Sequence, residues 1–177
     1  RLLSSLLAIF IIRELGPVLA AVLVAAQAGS SYAAELGAMR IKEEIDATEV
    51  MAVDPIGWHI VPRVLAMAIV VPLLTTLSNA FGIAGGWVVA VGIYGQPHGV
   101  FLAHVAENIG VFDLFASALK GLIYGLLVGL IATWKGYTAD GGAEGVGRAV
   151  NDTVVASVML ILVANYLLSS LLFSGAA

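Results

Sequence analysis

No cysteine occurs in the 177 residues, and charged side chains make up only 11% of them. The first absence excludes disulfides, thiolate metal sites and cysteine nucleophiles. The second excludes an ordinary soluble surface, since soluble domains carry about 25% charged residues. Eight Lys and Arg stand against twelve Asp and Glu, for a net charge of −4. The bases are scattered, so there is no electrostatic footprint for nucleic acid. No Gly-x-x-x-x-Gly-Lys-Ser/Thr surrounds Lys42, Lys120 or Lys135, so the chain has no nucleotide-phosphate loop of its own. Neither His-Glu-x-x-His nor Gly-x-Ser-x-Gly occurs, which leaves an intramembrane hydrolase without its machinery. His98 and His104 lack a third ligand at a recognisable spacing, and no metal site is expected. The chain opens at Arg1 without a signal-peptide pattern, and the expectation is a fragment whose N-terminus lies upstream.

What the sequence does have is apolar residues, 60% of the total. A bilayer core needs about 20 consecutive apolar helical residues, and four stretches reach that length. They run from Leu2 to about Leu36, Ile60 to about Tyr94, Asp113 to Trp134 and Thr153 to Phe173. The first two exceed one simple crossing, so they must tilt, break or extend beyond the lipid. Gly16-Pro17 and Pro72 are candidate bends, because proline removes a backbone donor. Gly82, Gly85 and Gly86 are expected to begin a re-entrant or interfacial stretch. The fold class is therefore an all-α transmembrane bundle with four membrane segments.

Short loops rich in Lys and Arg stay cytoplasmic. The connection from Glu35 to His59 holds Arg40 and Lys42, with Arg63 just beyond, and that from Lys135 to Asp152 holds Lys135 and Arg148. Both are assigned to the cytoplasm. The stretch from Gly95 to Phe112 and the tail Ser174 to Ala177 contain no Lys or Arg, and these are assigned to the other side. Within the first cytoplasmic connection, Ala38 to Val53 is rich in helix formers and ends at Asp54-Pro55, which predicts a helix outside the membrane. Helical spacing puts Ile41, Ile45, Thr48 and Ala52 on one stripe and Lys42, Asp46 and Glu49 on another face. That helix is either a plain solvated connection or a docking element whose acids Glu43, Glu44, Asp46 and Glu49 seek basic residues on a soluble partner.

Motifs then appear in a fixed order: Arg13-Glu-Leu-Gly-Pro-Val18, Ala28-Gly-Ser30, Ala34-Glu-Leu-Gly37, Glu44-Ile-Asp-Ala47, Glu49-Val-Met-Ala-Val-Asp-Pro55 and Val61-Pro-Arg63. Pro72-Leu-Leu-Thr75, Gly82-Ile-Ala-Gly-Gly86, Lys120, Gly136-Tyr137 and Thr153-Val154-Val155 continue the series. In this order they resemble the MlaE/YrbE permease family, the membrane subunits of ABC systems that move phospholipid or related lipids with MCE-domain proteins. The resemblance covers essentially the whole chain. It implies one permease domain, 1–177, truncated at the N-terminus, since family members carry an interfacial helix and one more span before the Arg-Glu-Leu-Gly-Pro segment. Gln27 stands where many relatives have arginine.

The resemblance further implies a homodimer in a bacterial inner membrane or an organellar inner envelope. Its partners would be MlaF-type ATPases that bind the ATP and Mg, an MlaD-type MCE protein and an MlaB-type STAS protein. No cofactor is expected on this chain. The 35–59 region corresponds to the family's coupling helix, which nominates Arg40, Glu43, Glu44, Asp46, Glu49, Met51 and Asp54 as the ATPase-coupling surface.

An ionisable group at membrane depth is costly unless it is paired, snorkels or faces water, so Arg13, Glu14 and Lys120 need explanations. Arg13 and Glu14 either fix helix packing, each with its own partner, or border a lipid cavity with Leu15, Val18 and Leu19 as apolar wall. Lys120 either attracts a lipid phosphate or snorkels to the interface. Gly121, Gly125 and Gly129, four apart, suit close helix packing within the chain or across a dimer. His98 and His104 are placed to meet headgroups or an MCE partner. A secondary transporter or channel using Arg13, Glu14 and Lys120 as an ion relay is the alternative from another class.

Overall fold

The computed structural model describes Leu6 and residues 8–173. The start of the first predicted segment and the tail Ser174 to Ala177 lie outside the described residues. Six helices follow one another: α1 (Ala8–Ile41), α2 (Glu44–Val50), α3 (Ile56–Ile93), α4 (His98–Asn108), α5 (Val111–Tyr137) and α6 (Gly142–Phe173). Among the described residues no strand occurs, and α1, α3, α5 and α6 are the four helices long and apolar enough to cross a membrane.

Three boundaries differ from the sequence reading. The predicted helix from Ala38 to Val53 is two pieces: α1 runs out of the membrane to Ile41, and α2 begins at Glu44 after Glu43 takes a left-handed conformation, φ 60°. Lys42 and Glu43 are ordinary helix formers and give no local sign of this break. The reorientation buries Ile45 and Thr48 but leaves Ile41 and Ala52 exposed, so half of the predicted stripe packs. Second, Gly82, Gly85 and Gly86 do not open a re-entrant stretch. The helix passes straight through them, and Gly82 lets the Ile11 side chain of α1 pack closely. Third, the connection from Lys135 to Asp152 is mostly helix, because α6 begins at Gly142 rather than Thr153. Gly141 and Gly142, both at positive φ, make the turn before it.

The bundle is built around α5. Its buried positions Asp113, Ala116, Ser117, Lys120, Gly121, Tyr124, Gly125, Val128, Gly129 and Ala132 recur every three or four residues, the period of one helix face. The glycines Gly121, Gly125 and Gly129 meet α3. A methyl group added at Gly125 would lie 2.5 Å from the Met67 carbonyl oxygen, and one at Gly121 would lie 3.0 Å from the Pro72 Cα. Backbones in lipid approach this closely only where side chains are absent, and the gain is dispersion and packing. The stripe is thus used within the chain. Gly136 does the same against Ala33 and Leu36 of α1.

The two basic connections share one end of the bundle. The Arg40 guanidinium lies over the Tyr137 ring, 5.7 Å from its centroid, and Gly37 packs on Ala139 and Val146. This is the end that the distribution of Lys and Arg assigns to the cytoplasm. At the other end, α4 lies against the exit of α3, where the Trp87 indole N–H donates to His98 Nδ1 at 2.7 Å.

Candidate functional site

Proline explains why a lysine is buried in the bundle. In a regular helix the Arg13 carbonyl would accept from residue 17, but Pro17 has no N–H to give. The backbone widens here into a π turn, Ile11–Leu15, in which the Gly16 N–H reaches the Ile11 carbonyl. Lys120 Nζ, on the opposing face of α5, donates to the Arg13 carbonyl at 2.7 Å. The Lys120 side chain is 0% exposed, and its ammonium also meets Glu14 at 3.3 Å, Ser169 Oγ at 2.7 Å and Asn165 Oδ1 at 3.3 Å.

Glu14 is equally occupied. It accepts from the Asn165 amide at 2.6 Å and from the Ser169 hydroxyl at 2.6 Å, both on α6. The Tyr124 hydroxyl donates to Asn165 Oδ1 at 2.8 Å and closes the group. Arg13, one residue earlier, points elsewhere: its Nε donates to Asp113 at 2.8 Å, and its guanidinium stacks 4.4 Å from the Phe173 ring centroid. Asp113 also caps its own helix by accepting from the Gly110 N–H at 3.0 Å. The result is one polar junction that ties α1 to α5 and α6, with each charge compensated as an apolar setting requires.

Of the residues nominated from sequence, the structure brings Arg13, Glu14 and Lys120 into this junction. Leu15 and Leu19 turn to the exposed outer face of α1, and Val18 packs against the interior cluster around Val24, Met67, Val71, Tyr124 and Val128. Lys120 neither snorkels nor opens to a cavity. Asn165 and Ser169 were missed, although an amide and a hydroxyl four residues apart in an otherwise apolar run were a legible signal. In the sequence Asp113 marks only the start of the third segment.

The coupling candidates behave differently. On α2 and its flanks, Glu43, Glu44 and Glu49 are exposed and carry no ion pair among the described residues, while Asp46 meets Arg40 at 2.6 Å. Met51 is 69% exposed and Val50 88%, so the acidic element presents an apolar tip. Asp54 has a local task, since its carboxylate accepts from the N–H groups of Ile56 and Gly57 and starts α3.

A third feature is an apolar groove of about 490 Å³ between α1 and α3. Among the described residues no cluster of three His, Asp or Glu suits a metal ion. His98 is taken by Trp87, and His104 lies 3.8 Å from Glu107.

Four packed apolar helices whose internal charges pair with one another define an all-α, multi-pass membrane protein. The description Permease MlaE matches residues 1–171, and the chain belongs to the MlaE permease family. It is 39% identical over 173 residues to a probable ABC transporter permease protein of Synechocystis, covering 98% of this chain and 66% of that protein. A probable ABC transporter permease protein of Rickettsia typhi is 34% identical over 171 residues, 97% of this chain and 66% of its own. The chloroplastic protein trigalactosyldiacylglycerol 1 of Arabidopsis thaliana is 34% identical over 176 residues, 99% of this chain and 50% of its own. The chain thus spans half to 66% of the length of these relatives.

Proposed function

We propose that this chain is the membrane-spanning, non-catalytic part of an ABC transporter that moves phospholipid or a related lipid. A second copy completes its lipid path, and separate ATPase subunits supply the energy. The observation that carries the reading is α2: a short helix at the cytoplasmic end, anchored by buried Ile45 and Thr48 between the ends of two spans, with exposed acids and an apolar tip facing outward. A motion imposed on α2 reaches α1 and α3 directly, because the connections on either side are only a few residues long. Nucleotide drives transport through such an element only by differential affinity for two permease conformations.

Membership of the family and the names of the relatives support this reading, as does the glycerolipid in the name of the chloroplast relative. MCE-domain and STAS-domain proteins are the further partners proposed, in a bacterial inner membrane or an organellar envelope. The ion-relay alternative is disfavoured by the junction, where Lys120 is fully buried and held by four acceptors.

The test is to purify the complex with its ATPase, reconstitute it, and measure ATP hydrolysis beside lipid transfer. Glu49→Lys and Met51→Asp are expected to lower transfer per ATP hydrolysed by about tenfold, the effect of losing roughly 1.4 kcal/mol of coupling. Unchanged coupling in both variants, or lipid movement that proceeds with no ATPase present, refutes the proposal.

A further inference from the structure

The groove between α1 and α3 is lined mostly by apolar side chains, with polar ones near both ends, Ser78 among them at the Phe81 end. Leu23, Val70, Leu74 and Phe81 form its walls, while Gln27 and Tyr32 stand toward the cytoplasmic end. Just beyond, Arg63 lies 5.8 Å from the Tyr32 ring centroid and pairs with Glu35 at 2.9 Å. From Ala66 to Phe81 the α3 wall extends about 22 Å at 1.5 Å per residue. That exceeds one leaflet, half of the roughly 30 Å hydrocarbon core. The volume falls within the range of about 300–1,000 Å³ typical of sites for small organic ligands.

The two partners at the mouth are unequal. The Arg63 side chain is 17% exposed and braced by the His59 carbonyl, whereas the Glu35 side chain is 57% exposed and has no second partner among the described residues. A guanidinium fixed in place with a replaceable carboxylate suits a phosphate, which it can engage through two parallel N–H donors.

We propose that this groove binds one acyl chain of an anionic phospholipid, with the lipid phosphate displacing Glu35 from Arg63 at the cytoplasmic mouth. Glu35 is then a competitor that sets how readily the site fills. The inference deepens the lipid-transport reading by naming the headgroup class and the place where the lipid is held on one copy of the chain. It is separate from the Glu14–Lys120 junction, which lies toward the opposite end of α1.

The complete chain in vesicles of phosphatidylcholine is labelled with a phosphatidylglycerol carrying a diazirine in one acyl chain, without ATP or partner proteins. Label is expected on Leu23, Val70 and Leu74 in excess over the exposed α6 residues Val163 and Leu167. Arg63→Gln should lower groove labelling by about threefold and Glu35→Gln should raise it by about threefold, the scale of an exposed ion pair. A diazirine diacylglycerol, which lacks the phosphate, should respond to neither substitution.

Equal label on the groove and on α6 overturns the site, as does a groove closed to the probe by a protein segment or a second copy. Loss of label in both Arg63→Gln and Glu35→Gln makes the pair a structural clamp and overturns the headgroup assignment. Intact labelling in a chain that supports no ATP-driven transfer counts against the transport reading alone. Normal transfer with no groove label counts against the site alone.

Discussion

The polar junction and the α2 region contain the same kinds of residue and spend them in opposite ways. At the junction Arg13, Glu14, Lys120 and Asp113 meet side-chain or backbone partners at 2.6–3.3 Å, drawn from other helices 45 to 155 positions away in sequence. At α2 most of the acids face outward, and among the described residues the one side-chain ion pair, Arg40 with Asp46, is local and solvated. In lipid an unpaired charge has no water to turn to, so the junction must be complete for the bundle to assemble. In water the acids cost the fold nothing and remain available to a partner. Charge inside the span therefore reads as framework, and charge beyond it is left free for the proposed interface.

The sharpest way to break this contrast is Lys120→Met. The substitution keeps an unbranched side chain, one atom shorter, but leaves Glu14 without its cation and the Arg13 carbonyl without its donor. Removing one partner from a buried pair costs about 3–5 kcal/mol. Thermal aggregation in detergent should show severe loss of stability, with partial recovery in Glu14→Gln/Lys120→Met, where no charge is left unpaired. If the single variant is as stable as the parent and loses only lipid transfer, Lys120 belongs with the interface charges and the distinction collapses.

Gly125→Val comes next. Its Cβ would press on the Met67 carbonyl at 2.5 Å, and a backbone neighbour cannot rotate aside. Overpacking of this kind costs about 1–3 kcal/mol. A disulfide engineered between α3 and α5 should form less efficiently in the variant. Gly147→Val, which adds its side chain to open space, should not change bundle stability measurably by the same assay.

How much of this was legible depended on the range of each interaction. The four spans follow from local apolar content, and the Gly121-Gly125-Gly129 stripe is a pattern within one helix. Both were readable. The use made of Pro17 was not, because its consequence is a hydrogen bond to the Arg13 carbonyl from Lys120, 107 positions from Arg13. The break at Glu43 was hidden for a different reason. A non-glycine residue in the left-handed region costs about 1–2 kcal/mol, and what offsets it is burial of Ile45 and Thr48 against the spans, a tertiary effect that no window of sequence contains. The early start of α6 was obscured by Gly142, Gly145 and Gly147, which read as loop until Gly145 is seen to sit against the Asp140 backbone, where a side chain would collide.

The smallest expected effect is the most discriminating for α2. Arg40→Gln removes an exposed ion pair with Asp46 and a cation–π contact with Tyr137, the latter joining the two cytoplasmic connections. An exposed pair is worth about 0.2–1 kcal/mol, so unfolding in denaturant should shift only slightly. Arg40 ties α2, through Asp46, to the end of α5, through Tyr137, so a spin-label pair on Glu49 and Glu144 should report a broader distance distribution. Transfer per ATP hydrolysed should then fall more than stability does. A framework residue shows the reverse order, stability first and activity as its consequence, so the ratio of the two losses at Arg40 and at Lys120 separates the regions even where their side chains are chemically alike.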